Sequence, residues 1–511
     1  MAALNEKLAA ALETLKELQA SSRQAIRSSD LPRTTREILS KNGFLQEVMK
    51  GWYISTRPSG GDGETTAWYT AFWGFCRDYL DERFGANWSL TPEQSLVLHA
   101  GNFSVPRQLL VRARGARNQP TQLIHNTSLF EGNHTLPDPS DSDEVQGLRV
   151  FKVEPALIAA SPSFFQLHPT EARTVLATQR DASALLERLL GGGHSHVAGR
   201  LAGAFRNIGR TREADEIIGA MRAAGFDIRE RDPFAEQLPN LRYQRDPSPY
   251  VQRIRLMWQT MRQHIVGRFP ESPARINDID AYMRRVDEIY VTDAYHSLSI
   301  EGYQVSAELI ERVRRGTWRP DQSEADLEHQ NGLAARGYWQ AFQSVKESVR
   351  EVLGGAAPGE VAERDHNGWR RELFAPSVTA GILRPESLAG YRTNAVYIRG
   401  SRHTPLNPDA VRDAMPTFFE LLRDEADPAV RIVLGHFVFV HIHPYGDGNG
   451  RTARFLMNLM MAAAGYPWTV IPVQKRAAYM AALEKASVDQ DIVPFTTFLA
   501  GLIGQSAPQA P

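Results

Sequence analysis

The chain has 511 residues, of which 42% are hydrophobic and 23% are charged, as in a soluble globular protein large enough for about three domains. Its formal net charge of -1 excludes a strong overall electrostatic bias, so nucleic acid would have to bind at a local patch. The single cysteine, Cys76, excludes an internal disulfide and favours a reducing compartment. No apolar run reaches the roughly 18 residues of a membrane span, and acidic residues interrupt the N-terminal apolar stripe. We therefore expect no signal peptide, no membrane partner and a cytoplasmic location.

Residues 1–57 are predicted to form three helices followed by a small hairpin, the order of a winged helix-turn-helix. The helices are expected over 1–20, 24–28 and 33–40, and the hairpin over 44–48 and 52–56 around Lys50 and Gly51. The third helix and the wing would present these groups to DNA: Arg33, Thr34, Thr35, Arg36, Lys41 and Lys50. The alternative is a small helical domain whose charges are only solvated, and Glu37 and Glu47 weaken the basic patch.

Residues 58–228 are predicted to be mixed α/β first, with short apolar runs between turn residues, and helical from about residue 170. Within 29–53, the motifs Asp-Leu-Pro-Arg and Lys-Gly-Trp-Tyr and the turn at Gly43 resemble the N-terminal domain of AbiEi-type antitoxins. The resemblance implies that 58–228 is the companion region of such an antitoxin. A Pro-rich stretch, 229–249, is the expected linker to a helical domain over 250–504, and 505–511 is expected to be a disordered tail.

The strongest pattern is HPYGDGNGRTAR at 443–454, which lies between two apolar helical runs. It predicts a glycine-rich loop that leads into a buried helix, where backbone N–H groups and the helix dipole bind phosphate. Arg451 and Arg454 are three residues apart and can face one anion. Asp447 offers one hard oxygen, which suits Mg²⁺ carried on phosphates, and His443 is the natural general base. A Walker-type loop is excluded, because no Gly-Lys-Ser/Thr follows.

This segment resembles the signature of Fic proteins, H-x-F-x-(D/E)-G-N-G-R-x-x-R, with Tyr445 in place of Phe. The resemblance covers about half the chain and implies an all-α domain that transfers AMP from ATP to a Ser, Thr or Tyr hydroxyl of a target protein, including the chain itself. It implies that His443 deprotonates the hydroxyl and that Asp447 holds Mg²⁺. The implied nucleotide contacts are Gly446, Gly448, Asn449, Gly450, Arg451, Arg454 and, at the adenine end, Tyr479. Met480 and Ser487 depart from the family pattern there, so UTP or GTP stays open as the nucleotide.

Two further segments resemble family features. Ser297, Glu301 and Gly302 match the autoinhibitory motif (S/T)-x-x-x-E-(G/N), which implies that Glu301 pairs with Arg454 in place of the γ-phosphate. The alternative is a helix end at Gly302 with Glu301 in solvent. A β-hairpin flap is predicted within 391–401, and the resemblance implies that it holds the target through Thr393, Asn394, Ala395, Val396, Tyr397 and Ile398.

Two functions from different classes follow. The first is an autoinhibited protein adenylyltransferase with ATP and Mg²⁺. The second is a DNA-binding transcriptional regulator or toxin–antitoxin component, in which the Fic half responds to nucleotide or removes AMP. The sequence is compatible with a homodimer and separates neither the direction of AMP transfer nor the target.

Overall fold

The computed structural model describes residues 2–20, 23–58, 65–235, 248–273, 276–318 and 326–506. The chain divides into two compact units. The first comprises residues 1–253 and 397–404, and the second comprises residues 254–396 and 405–511.

The first unit begins with a helix, α1 (Ala2–Ala20), and a small antiparallel sheet. The sheet order is β1 (Ile26–Arg27), β3 (Trp52–Ser55), β2 (Leu45–Met49), and α2 (Arg33–Lys41) lies between β1 and β2 in the chain. The predicted third helix and hairpin are confirmed. The predicted helix over 24–28 is wrong, because the backbone N–H groups of Gln24 and Ala25 donate to the Asp78 carboxylate at 2.6 and 3.1 Å and Ile26 then pairs with Tyr53.

The mixed α/β prediction for the region that follows is confirmed. A helix, α3 (Thr66–Phe84), packs its aromatic face, including Trp68, Phe72 and Phe75, into the core shared with the sheets. One four-stranded sheet has the order β4 (Trp88–Leu90), β5 (Gln108–Ala113), β7 (Ser128–Gly132), β6 (Gln119–Gln122), with α4 (Pro92–His99) after β4. The β5–β7 pair is parallel, and β8 (Ser142–Val145) with β9 (Leu148–Phe151) forms a separate hairpin.

A helical layer with its own apolar core completes the first unit, as predicted. Its helices are α5 (Val153–Ala159), α6 (Phe164–Leu167), α7 (Pro169–Thr178), α8 (Ser183–Gly192), α9 (Ser195–Asn207) and α10 (Thr211–Ala223). Of the predicted linker, residues 229–235 have no regular secondary structure, 236–247 lie outside the described residues, and a helix starts at Pro249.

The regular secondary structure in the described part of the second unit is helical, which confirms the all-α prediction. Its helices are α11 (Pro249–Ile265, shared with the first unit), α12 (Ile279–Ile300), α13 (Ala307–Arg314), α14 (Asp326–Leu353), α15 (Pro358–Thr379), α16 (Pro408–Asp424), α17 (Pro428–Ile442), α18 (Asn449–Ala463), α19 (Arg476–Val488) and α20 (Val493–Ser506). Gln505 and Ser506 were predicted to belong to a disordered tail, but they are the last residues of α20. Residues 507–511 lie outside the described residues.

The predicted β-hairpin flap is wrong, because residues 391–401 form turns and extended segments without paired strands. The side chain of Arg392 donates to the carbonyl oxygens of Asn394 and Leu406, which replaces a strand ladder at the base of the segment. At its tip, residues 397–404 belong to the first unit, where the Val105 N–H donates to the Arg402 oxygen at 2.8 Å. Within 391–401, the N–H groups of Arg392 and Gly400 donate to the Pro444 oxygen and to Thr66 Oγ1, so they are not available for a strand ladder.

None of the helices in the described part of the chain is long and apolar enough to cross a membrane.

Candidate active site

The predicted phosphate loop is the connection between α17 and α18. Helix α17 ends at His443, whose φ of 54° is left-handed, and Pro444 prevents the helix from continuing. Helix α18 begins after Gly448, which has a φ of 89°. The side chain of Asn449 closes the loop, since it accepts from the Tyr445 N–H at 2.9 Å and donates to the Tyr445 oxygen at 2.8 Å. The loop is therefore held in one shape by its own sequence.

His443 is held as a neutral base. Its Nδ1 lies 3.2 Å from the carbonyl oxygen of Val440, which can only accept, so Nδ1 carries the proton and Nε2 keeps its lone pair. Burial lowers the pKa of His443 to about 4, so the ring is neutral near pH 7. Arg392 fixes the backbone here, donating from Nε to the His443 oxygen at 2.8 Å and from its N–H to the Pro444 oxygen at 3.0 Å.

The two signature arginines are buried at the start of α18. Arg451 is 1% exposed and Arg454 is 4% exposed. Among the described residues, Arg451 Nε and Arg454 Nη1 are buried donors that have no hydrogen-bond partner. A buried guanidinium donor without a partner is costly, so this pair fits an anionic ligand such as a phosphate group. The side chain of Asp447, by contrast, is 64% exposed, and its Oδ1 accepts from the Gly448 N–H at 2.5 Å.

A magnesium ion fits this site only together with phosphate oxygens. Within the described residues, no cluster of three or more His, Cys, Asp or Glu side chains could hold a metal ion. Beside the arginines, the Asp447 carboxylate is 64% exposed, and its Oδ1 lies 3.3 Å from Arg451 Nη2. One or two carboxylates plus substrate phosphates is the usual environment of Mg²⁺ with a nucleotide.

The residues of the inhibitory motif meet this site. Arg454 donates from Nε to Ser297 Oγ at 2.9 Å, and from Nη2 to Glu301 Oε1 at 2.6 Å and to the Ser297 oxygen at 3.0 Å. Burial alone would raise the pKa of Glu301, but the charges of Arg454 and Arg451 hold it below its usual value. Glu301 is thus an ion-pair partner rather than a solvated residue at the helix end.

The Glu301 carboxylate lies against the first turn of α18. A Cβ atom on Gly450 would stand 2.5 Å from Glu301 Oε1 and 3.2 Å from Arg454 Nη1. Glycine is therefore required at this position for the carboxylate to come so close. Gly302, which follows the C-cap residue Glu301, has a φ of 94°, so the helix ends here, as in the alternative interpretation, although Glu301 is ion-paired.

At the adenine end the structure departs from the expectation. Tyr479 is 1% exposed and its hydroxyl lies 2.7 Å from His436 Nε2, so its ring is packed inside the protein. This burial argues against a contact with the base. The neighbouring Met480 is half-buried.

The predicted flap and DNA-binding residues are placed as follows. In the flap, the Asn394 oxygen accepts from Arg392, and Tyr397 is 40% exposed.

The predicted DNA-binding residues lie on α2 and in the β2–β3 turn. On α2, Arg33 and Lys41 are exposed, but Arg33 pairs with Glu37 at 2.8 Å. Arg36 turns inward and donates to the Ser28 oxygen at 2.6 Å. Thr34 and Lys50 are exposed, and Thr35 is half-buried.

Sequence reasoning missed a set of contacts from α15. They come from Asn367, Arg370 and Phe374, and they reach the loop at Tyr445, Asp447 and Gly448. These residues are about 70 or more positions from the signature, and only their helical spacing on one face of α15 could have indicated them.

Comparison with known proteins agrees with this site. Residues 368–461 match the model of the Fic/DOC family. Protein adenylyltransferase fic-1 of Caenorhabditis elegans is 31% identical over 231 residues, 43% of this chain and 41% of that protein. Protein adenylyltransferase Fic of Drosophila virilis is 32% identical over 230 residues, 44% of each chain. Residues 368–461 are therefore similar to a Fic/DOC domain, and the chain spans less than half the length of these curated relatives.

Solved structures of Fic proteins are also similar to this chain. Fic-1 (residues 134–508) of Caenorhabditis elegans has a TM-score of 0.37 at 22% identity, covering 63% of this chain and 89% of that one. A Fic domain containing signaling protein from Bacteroides thetaiotaomicron has a TM-score of 0.35 at 16% identity, covering 50% and 94%.

Proposed function

We propose that this chain is an autoinhibited protein adenylyltransferase, which transfers AMP from ATP to a Ser, Thr or Tyr hydroxyl of a target protein or of itself. The observation that carries the proposal is the junction of α17 and α18. There, a neutral His443, an exposed Asp447 and two buried guanidinium groups with unpartnered donors surround one helix N-terminus. The names of the curated relatives support the same activity.

The residues suggest how the reaction proceeds. His443 Nε2 takes the proton of the target hydroxyl, whose oxygen attacks the α-phosphorus. The bond from the α-phosphorus to the bridging oxygen breaks, and pyrophosphate leaves with the electron pair. Arg451, Arg454 and the amides at the start of α18 stabilise the negative charge on the phosphates. A magnesium ion held by Asp447 would neutralise part of that charge when bound.

Autoinhibition follows from the Glu301–Arg454 pair. The carboxylate occupies the guanidinium that would otherwise bind the terminal phosphate, and it lies over Gly450 at the start of α18. ATP must displace it or bind with its α-phosphate out of place. If the pair favours the closed state by about 1.4 kcal/mol, its loss raises the rate about tenfold.

The proposal is tested with ATP labelled at the α-phosphate, in Mg²⁺, on the wild type and on Glu301→Gly. We expect label on the protein to increase about tenfold or more in Glu301→Gly. It should disappear when His443→Ala is added. Glu308→Gly, an exposed glutamate at the start of α13, is the matched control and should behave as the wild type.

The outcomes separate the readings. Equal labelling of wild type and Glu301→Gly would remove the inhibitory role, and labelling that survives His443→Ala would remove the catalytic one. If labelled protein instead loses AMP in a manner that requires Glu301, the reaction runs towards removal of AMP.

We also propose a second function for residues 1–57, contact with DNA. The exposed Arg33 and Lys41 on α2, with Lys50 in the β2–β3 turn, support it. The sheet order β1–β3–β2 with α2 before the hairpin supports it too.

A further inference from the structure

Arg370 is a third buried arginine at the phosphate loop, and it lies outside the signature. It projects from the middle of α15 and is 6% exposed. Its Nε donates to the main-chain oxygen of Asp447 at 3.3 Å, and its Cζ lies 4.8 Å from the centre of the Tyr445 ring. Arg370 therefore touches both the loop backbone and the loop's aromatic residue.

Neighbours of Arg370 on α15 hold the rest of the loop. One turn earlier, Asn367 Oδ1 accepts from the Tyr445 hydroxyl at 2.7 Å, a bond that the phenylalanine usual at this position could not make. One turn later, Phe374 lies under Gly448, where an added Cβ would stand 2.8 Å from the ring. Residues 367, 370 and 374 share one helical face, so α15 acts on the loop as a single surface.

Stacking on Tyr445 and Phe374 explains the position of the Arg370 guanidinium but not all of its donors. Among the described residues, Arg370 Nη1 is a buried donor that lacks a hydrogen-bond partner, which is unfavourable. An apolar side chain between Tyr445 and Phe374 would fill the space without that cost. The guanidinium of Arg370 adds a hydrogen bond to the main-chain oxygen of Asp447. The carboxylate of Asp447 is 64% exposed.

We propose that Arg370 is a positioning residue for the magnesium ligand. By holding the main chain of Asp447, it keeps the carboxylate turned towards the metal ion that arrives with the nucleotide phosphates. The inference rests on the proposed function and concerns the magnesium-dependent part of ATP affinity. It predicts a much smaller effect of Arg370 on ATP binding without metal, because no hydrogen bond among the described residues joins Arg370 to Arg451 or Arg454, although Arg370 and Arg451 both pack against Phe374.

The test measures ATP binding in the variant Glu301→Gly, His443→Ala, which is open and does not turn over. Isothermal titration gives the Kd of ATP in EDTA and in Mg²⁺, and their ratio is the gain due to magnesium. Arg370→Gln should reduce that gain about tenfold, as loss of a group that orients a metal ligand does, with the Kd in EDTA within about twofold. Arg371→Gln, the exposed next residue on α15, is the matched control and should leave both values unchanged.

Several results would overturn the inference. One is an unchanged magnesium gain in Arg370→Gln, and another is an equal loss of affinity in EDTA and Mg²⁺, which indicates a phosphate contact or a folding defect. If Arg370→Gln does not fold, Arg370→Lys replaces it, because an ammonium cannot both lie flat on Tyr445 and reach the oxygen of Asp447. If magnesium improves the Kd of ATP as much in the Arg370→Lys variant as in the parent, the inference is contradicted. If the parent, Glu301→Gly with His443→Ala, binds no ATP, the proposed function is overturned as well. A failure of the proposed function is thus distinguishable from a failure of this inference alone.

Discussion

At the scale of single residues, the protonation state of His443 decides whether it can act as the base of the proposed reaction. Its backbone is left-handed and its Nδ1 faces the Val440 oxygen, so the remaining nitrogen is available as a base. Burial lowers its pKa to about 4, whereas Glu301 and Asp447 act in the opposite direction. With a pKa of about 4, the imidazole is neutral near pH 7.

This gives a prediction for the pH profile of Glu301→Gly. Loss of the glutamate charge lowers the pKa of His443 further, because that charge favoured the imidazolium. The rate of self-labelling should then be flat from pH 8 to about 5.5 and fall only at lower pH. Initial rates across this range check it. A half-maximal rate near pH 6.5, the value of an ordinary histidine, would contradict the prediction.

Individual residues also show how far sequence reasoning reaches. The contact of Glu301 with Arg454 was predicted from the resemblance of two short motifs to family patterns, whereas the contact of Ser297 with Arg454 was not. The contact of Arg370 with Asp447 was not, because no local pattern joins two positions that are far apart in the chain. Tyr479 was predicted to meet the nucleotide because its position resembles an aromatic position of the family, and an aromatic ring packs equally well in the core.

At the scale of elements, the loop between α17 and α18 depends on two glycines that are not equivalent. Gly448 has a φ of 89° and lies against Phe374, whereas a Cβ on Gly446 would meet no atom within 4 Å. The sequence GDGNG contains Gly446, Gly448 and Gly450, but it does not show at which of them a larger residue would be strained.

We therefore predict different stabilities for two alanine variants. Gly448→Ala combines a left-handed backbone with a contact of 2.8 Å to Phe374 and should lower the stability of the second unit by about 2–3 kcal/mol. Gly446→Ala should change it by less than about 0.5 kcal/mol. Thermal unfolding followed by circular dichroism measures both. Equal transition midpoints for the two variants would show that the loop adapts and that the prediction is wrong.

Elements defined by local signals were predicted well. The β2–β3 hairpin has Gly51 in its turn, with a φ of 82°, and the apolar periodicity indicated α17 and α18. The two errors, at 24–28 and 391–401, have one cause. In each, groups from elsewhere in the chain bind backbone N–H groups that would otherwise form a helix or a ladder. They are the Asp78 carboxylate in the first segment, and the Pro444 oxygen and Thr66 Oγ1 in the second.

At the scale of the whole molecule, the boundary between the units is not a single point in the sequence. Residues 397–404 belong with 1–253, although the chain on both sides of them belongs to the second unit. A Pro-rich linker can be seen in a sequence, whereas an excursion of eight residues depends on long-range contacts such as the bond from the Gly400 N–H to Thr66 Oγ1. The predicted likeness of 1–228 to antitoxins stays a prediction.

The DNA-binding proposal also belongs to this scale, because the intact chain has no net basic character. If α2 and the β2–β3 turn contact phosphates, the affinity of the full chain for duplex DNA should fall steeply between about 50 and 200 mM salt. Lys41→Ala and Lys50→Ala should each flatten that dependence, whereas Lys7→Ala, an exposed lysine on α1, should not. Fluorescence anisotropy at several salt concentrations measures the slope. If the affinity does not change with salt concentration, these lysine side chains are only solvated and do not contact DNA phosphates.

Glu301 is the C-cap residue of α12, and its side chain is 26% exposed, whereas Ser297, Leu298 and Ile300 in the last turn are buried. In the proposed mechanism the carboxylate therefore leaves Arg454 by rotation of its own side chain, while the buried turn stays in place. Resting protein should then contain a small fraction of open molecules, and a cation that binds the rotated carboxylate would enlarge that fraction without touching the phosphate loop. The strength of the proposed inhibition is in this way set by the rotamer equilibrium of one side chain.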